Sequence, residues 1–337
     1  MGTLIRKIKF FWIGIIVLGL SLAAYAFSMA TFALPVGAAP AAAPIDQLVG
    51  FGAGTTGGAG GSTITVTTLT ALTSAVSGST AKIVKISGTI SGAGDVKVGS
   101  NKTILGIGSS SVLNGLGLDL KGVSNVIIRN LTIRYVTASS GTGDAIHIEK
   151  STKVWVDHND VYSDLNHGKD YYDGLIDITH AADYITVSWN RIHNHYKASL
   201  VGHSDSNGSQ DTGHLHVTYH HNWFYSVGSR TPSLRFGTAH VYNNYYLNIS
   251  VDAIHSRMGA QMLVENNVFR GVVTPIMTTG DSKKDGFVNI SGNDLGGGIN
   301  KITQTGAFTQ APYSYTLDAT SSVISEVTAY SGVGIVG

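Results

Sequence analysis

From residue 80 onward the chain reads as short apolar stretches broken by polar and glycine-containing positions, and one signature keeps returning. It runs apolar residue, two variable residues, Asn, one more residue, then an apolar residue. It appears as IIRNLT with Asn130, VDHNDV with Asn159, VSWNRI with Asn190 and YHHNWF with Asn222. VYNNYY with Asn244, VENNVF with Asn267 and ISGNDL with Asn293 continue it, at spacings of 22 to 32 residues. A period of that size marks stacked units, since one unit does not bury its own apolar face. Strands this short, with hardly any helical periodicity between them, predict an all-β fold in the form of a coiled parallel sheet. The recurring Asn is expected at one turn of each coil, its amide bonding the equivalent Asn of the next coil as a ladder. A propeller would need longer four-stranded blades at a steadier period.

The rest of the pattern adds few elements. Residues 68–76 (TLTALTSAV) are the best helix candidate, short enough to cap an open end of the solenoid. The glycine-rich stretch 51–61 (FGAGTTGGAGG) lacks a phosphate-loop lysine and any surrounding βαβ unit, so it reads as loop. Beyond about residue 295 the Thr/Ser/Gly-rich tail fits a strand or two packed back along the solenoid. The coils before Asn159, Asn190 and Asn222 carry extra residues, which predicts loops projecting on one side to build a site.

Composition narrows the function classes. The chain of 337 residues holds 42 Gly and 6 Pro, as many tight turns between short strands require. A net charge of +1 with 13% charged residues argues against a nucleic-acid partner, which needs a dense basic face. Arg6, Lys7 and Lys9 precede an apolar run over residues 10–27, followed by Ala-rich sites suited to cleavage. Residues 1–40 are therefore expected to be a signal peptide and leader, with the folded domain over 41–337, no membrane attachment after cleavage and a secreted, extracellular, monomeric product. An uncleaved anchor is the alternative for that run. With no Cys in the chain, an exported domain relies on burial or bound ions instead of disulfides.

Three segments carry candidate chemistry, all in the coils with insertions. Asp144 in GDAI and Asp173 and Asp177 in DGLID each run into a predicted strand, 29 residues separating the first two. One repeat apart in sequence means about 4.8 Å apart in space. Carboxylates that close repel unless a proton or a cation intervenes, and a hard ion such as Ca²⁺ suits oxygen donors. Turn formation is an equally ordinary role for such Asp residues, and spacing leaves both open. Lys197 in NHYKASL stands alone in a poorly charged stretch, either solvated or placed for an anion. Arg230 and Arg235 in RTPSLRFG would present two guanidinium groups to carboxylates, or simply face solvent.

Taken together, WVDH at Trp155, Asp157 and His158, DGLID, the Lys197 segment through Gly202, and RTPSLRFG occur in one order and spacing. That set resembles the pectate lyase superfamily of polysaccharide lyase family 1, which includes plant pollen allergens; the likeness spans roughly residues 50–300. The resemblance implies a single-stranded right-handed parallel β-helix of the pectin-lyase type. It also implies Ca²⁺ ligands at Asp144, Asp173 and Asp177, a catalytic base at Arg230, and substrate-carboxylate contacts from Lys197 and Arg235. Trp155, Asp157 and His158 are expected on the opposite side in a structural role. The Cys residues of many relatives are missing.

The implied reaction is β-elimination of polygalacturonate. The C5 proton, α to a carboxylate, is removed, the C4–O bond breaks, and a 4,5-unsaturated end results. An arginine serves as base only where neighbouring positive charge favours its neutral form, so an alkaline rate optimum is implied. A pectin lyase acting on methylated chains without calcium is the nearest rival, but all three Asp residues are retained. A polygalacturonase-type hydrolase would need close carboxylate pairs, and neither Asp-Asp nor Gly-His-Gly occurs. A binding-only β-helix would have no need of Arg230 together with the three Asp residues.

Overall fold

The computed structural model describes residues 43–337; the expected export signal lies outside them. From Ser124–Arg129 to Gln261–Glu265, each coil contributes one strand to a ten-stranded sheet and then two to a second, fourteen-stranded sheet. A representative coil runs Thr152–Asp157, Asp160–Tyr162, Ile176–Thr179, and the next runs Asp183–Ser188, Arg191–Lys197, Leu200–Val201. Equivalent strands pair in parallel from coil to coil, as in Asp160↔Arg191 and Ile178↔Val201. The fourteen-stranded sheet is two ladders fused by the long strands Thr89–Lys97 and Val112–Lys121, which span both. This is the expected parallel β-helix. Its interior is a continuous column of aliphatic side chains, with Val156, Val161, Ile176, Ile185, Ile192 and Val217 fully buried. Period-2 alternation then leaves the polar partners on the outside.

The Asn ladder lies at the corner that follows the ten-stranded sheet. Asn159, Asn190, Asn222, Asn244, Asn267 and Asn293 are joined by Nδ2-to-Oδ1 bonds of 3.0, 3.0, 2.9, 3.0 and 3.0 Å. From Asn190 onward each Oδ1 also accepts the backbone N–H of the preceding Asn, Asn159 Oδ1 accepts that of Leu131, and each Nδ2 donates to a backbone carbonyl. Every ladder residue therefore follows a sharp corner: His158, Trp189 and His221 just before it have φ of 52°, 54° and 55°. Such left-handed backbone is costly for residues with a Cβ, and the ladder bonds offset that cost. Asn130, expected as a rung, is not one. Asp160 N donates to Leu131 O, so Leu131 occupies the ladder level, and Asn130 has the left-handed position (φ 58°) that His158 takes one coil later. Its amide instead bonds Gly106 O, Gly108 O and Gly334 N.

The helix expected at 68–76 forms at Leu69–Val76, capped by Thr68 Oγ1, with Leu72, Ala75 and Val76 buried against the first coils. The tail does pack back along the solenoid, but not as strands. It ends in a helix, Thr320–Tyr330, whose Val323 and Val327 cover Tyr245 and Val268. Among the described residues no helix is long and apolar enough to cross a membrane.

Candidate active site

The outer face of the second short ladder aligns side chains along the solenoid axis. In register, Asp119 pairs with His147, His147 with Asp177, Leu200 with Ser233, and Ser233 with His255. Inserted loops rise beside this row, as the unequal spacings predicted.

Its acidic centre is built at Gly174. Asp144 Oδ1 accepts the Gly174 N–H at 2.8 Å, and Asp177 Oδ1 accepts the Leu200 N–H at 2.9 Å. A Cβ on Gly174 would sit 2.6 Å from Asp177 Oδ1 and 2.7 Å from Asp144 Oδ1, so the two carboxylates converge over a residue with no side chain. Both are buried. Burial first, with Asp173's charge adding, pushes the Asp144 carboxyl up against the pull of His147. Burial and then Asp144 push Asp177 well above the usual carboxylate range, with the Leu200 N–H and Arg230 opposing. Two acids so placed hold a proton between them unless a cation neutralises them. His147 supplies part of that charge. Burial works against its protonation, but a 2.7 Å bond to Asp144 Oδ2 and the fields of Asp144, Asp177 and Asp119 lift the ring to about 9.

Asp173 departs from the expected placement. The strand register pairs Ile146 with Ile176, and continued two residues back it sets Asp144 level with Gly174, not Asp173. Asp173 instead donates its own N–H to Gly143 O, and its side chain turns to Lys197, Nζ to Oδ1 2.8 Å. Its charge nonetheless raises both the Asp144 and the Asp177 carboxyls. Among the described residues no three His, Cys, Asp or Glu side chains form a ready-made metal cage. The buried, mutually repelling pair with oxygen donors is nonetheless the chemistry a hard divalent cation fits.

Next to the acids lies a cleft of about 470 Å³ whose walls include Lys169, Lys197, Arg230, Arg235 and Arg257. Lys197 ends the strand Arg191–Lys197 and is held by Asp173 and, at 2.9 Å, by Asp170. Burial disfavours its charge, but these two carboxylates outweigh burial and raise its ammonium. Arg230 follows the strand Trp223–Ser229 at φ 61°, its carbonyl accepting the Ser199 N–H. Its guanidinium has no hydrogen-bond or ion-pair partner among the described residues and reaches Asp177 by charge. Arg235 is fixed, with Nε 2.5 Å from Asp205 Oδ1 and Nη1 2.8 Å from Gly202 O. The structure thus brings Lys197, Arg230 and Arg235 into one cleft beside Asp144, Asp173 and Asp177.

Four residues at this site were missed by the sequence reading. His147 and Gly174 complete the acidic centre. Arg257 pairs in register with Arg235, and burial followed by the charge of Arg235 lowers its guanidinium to about 10. The 22-residue step from Asn222 to Asn244, applied to Arg235, lands on Arg257 and was available as a signal. Asp252 in the cleft wall is pushed up to about 6 by burial and then by Asp281. Trp155 and Asp157 lie in the ten-stranded sheet and His158 at the corner that follows it, away from the cleft. There Asp157 takes bonds from Arg129, His158 and Ser188 while Trp155 bonds Ser188, a buried structural network.

A parallel β-helix with a cation-walled groove beside a buried acidic pair is the class of protein these observations define. Residues 22–336 match the family model described as pectate lyase, and the chain belongs to that family. It is 50% identical over 280 residues to pectate lyase A of Aspergillus niger, covering 83% of this chain and 84% of that one. A pectate lyase of Bacillus sp. N165, solved in complex with trigalacturonate, superposes with a TM-score of 0.79 at 34% identity, covering 86% of this chain and 100% of its own. Pectate lyase C of Erwinia chrysanthemi, solved with Ca²⁺, gives 0.73 at 25% identity, covering 86% and 98%.

Proposed function

We propose that the protein is a secreted, calcium-dependent pectate lyase that cleaves polygalacturonate by β-elimination, acting as a monomer. The observation that carries this reading is the convergence of Asp144 and Asp177 over Gly174 beside Arg230, whose guanidinium has no partner among the described residues. The relatives named above, one with trigalacturonate and one with Ca²⁺, support it.

Asp144 and Asp177, with Asp173 four residues before Asp177, would hold Ca²⁺, which when bound draws charge from the uronate carboxylate and acidifies the C5–H. Lys197 and Arg235 bind that carboxylate, Arg235 as a pre-oriented fork because Asp205 and Gly202 fix it. Arg230 takes the C5 proton. The C5–H electron pair becomes the C4–C5 double bond, and the C4–O bond breaks with its electrons on the departing oxygen, which takes a proton from solvent while Arg230 returns one to it. No water enters the product, which separates this reaction from hydrolysis.

The test is the ultraviolet absorbance of the unsaturated product formed from polygalacturonate and Ca²⁺. Growth of that absorbance is expected, and reducing ends released without it would point to a hydrolase. Full activity on highly methylated pectin in the presence of a chelator would instead favour the pectin lyase reading.

A further inference from the structure

Inside the solenoid, behind the acidic centre, a polar pair interrupts the aliphatic column. Ser199 and Tyr219 are both fully buried, Tyr219 reaching across from the strand His216–His220 of the ten-stranded sheet. A hydroxyl in such surroundings is costly unless it is bonded. Ser199 Oγ donates its one proton to Ile176 O, and so accepts from the Tyr219 hydroxyl at 2.8 Å. Burial first, and then the field of Asp177, pushes the Tyr219 phenol up against the pull of the Ser199 bond, which keeps it protonated as the donor.

The bond to Ile176 fills an irregular place in the sheet. Between these two coils the register pairs Ile178 with Val201 alone, and the Leu200 N–H turns aside to Asp177 Oδ1 at 2.9 Å. The Ser199 hydroxyl there takes the carbonyl of the residue next to Asp177. Ser199 also reaches the following coil: its N–H donates to Arg230 O at 2.7 Å, and its carbonyl accepts the Ser233 N–H at 3.1 Å. Arg230 has left-handed backbone, φ 61°, which persists only where neighbouring bonds hold it. We infer that Ser199 and Tyr219 are positioning residues for the elimination, a strut through the core that sets the Arg230 backbone against the strand of Asp177. Neither lines the cleft. This rests on the lyase reading above and adds the buried pair through which the base and the acids keep their separation.

The experiment measures kcat and KM for unsaturated-product formation at saturating Ca²⁺, together with the denaturant midpoint. It compares the unaltered protein, Ser199→Ala, Tyr219→Phe and the double variant. Ser199→Ala strands the Tyr219 hydroxyl and the Ile176 carbonyl, so its midpoint should fall. Its kcat should fall about tenfold with KM held within about twofold, inside the roughly hundredfold loss that a misplacement of about 1 Å produces. Tyr219→Phe should lower kcat less, because Ser199 keeps its bond to Ile176. Without either hydroxyl no phenol is stranded, so the double variant should regain part of the midpoint while kcat stays as low as in Ser199→Ala. A kcat that recovers with the midpoint, or one unmoved in Ser199→Ala, makes the pair merely structural and overturns the inference while the lyase reading stands. No unsaturated product from the unaltered protein overturns both.

Discussion

Two corners of the same solenoid are made by the same coiling step and end in opposite states. At the Asn ladder, six residues repeat one side chain, joined amide to amide, with all but the terminal Asn293 buried. At the corner of the cleft no side chain repeats among Gly174, Lys197, Arg230 and Asp252; two acids are pressed together, and the Arg230 guanidinium has no partner among the described residues. Stability resides where the repeat is kept, and chemistry resides where it is broken. The ladder holds the strands in the register that the cleft needs, so each corner depends on the other through the strands between them.

The sharpest way to break the comparison is at Arg230. Arg230→Lys should lower the rate of unsaturated-product formation by about 10³-fold, within the range for a lost proton-transfer group, while the unfolding midpoint stays put. At the other corner the effects should invert. Asn222→Ala removes the acceptor of Asn190 N and Asn190 Nδ2, both buried, and should cost about 3 kcal/mol in denaturant unfolding. Activity per folded molecule should survive. Asn130→Ala, outside the ladder, should cost about 1 kcal/mol.

A smaller effect sharpens the electrostatic side. The Asp252 carboxyl titrates near 6 in the folded protein and near 3.8 otherwise. A folded value raised in this way means that its contribution to stability is complete below about pH 4 and is lost as pH rises through 6. Asp252→Asn should therefore flatten the stability profile between those values and leave the variant about 1–3 kcal/mol more stable at pH 8. Thermal unfolding at several pH values measures it, and a parallel pair of profiles would contradict the assignment.

How much of this was legible in the sequence follows from the same contrast. The ladder could be read because identical residues recur; only Asn130 misled, since it shares the signature but sits one residue out of register. The cleft residues Lys197, Arg230 and Arg235 were found by motif order and do meet in space. Asp173 was set level with Asp144 by counting 29 residues, whereas the strands step by 30, which puts Gly174 at that level while Asp173 pairs with Lys197. Gly174 and His147 went unseen because their role exists only between neighbouring coils. The tail helix was hidden by its Thr/Ser-rich composition, although Val323 and Val327, four residues apart, marked its buried face.

The central claim is that Asp144 and Asp177 make the elimination conditional on a divalent cation. The direct measurement is the rate of unsaturated-product formation against free Ca²⁺, from chelator-stripped protein upward, for the unaltered chain and Asp177→Asn. A rate rising from near zero to saturation, with half-saturation displaced at least about tenfold in the variant, is the predicted result. Equal rates with and without chelator, or superimposable curves for the two proteins, would contradict it.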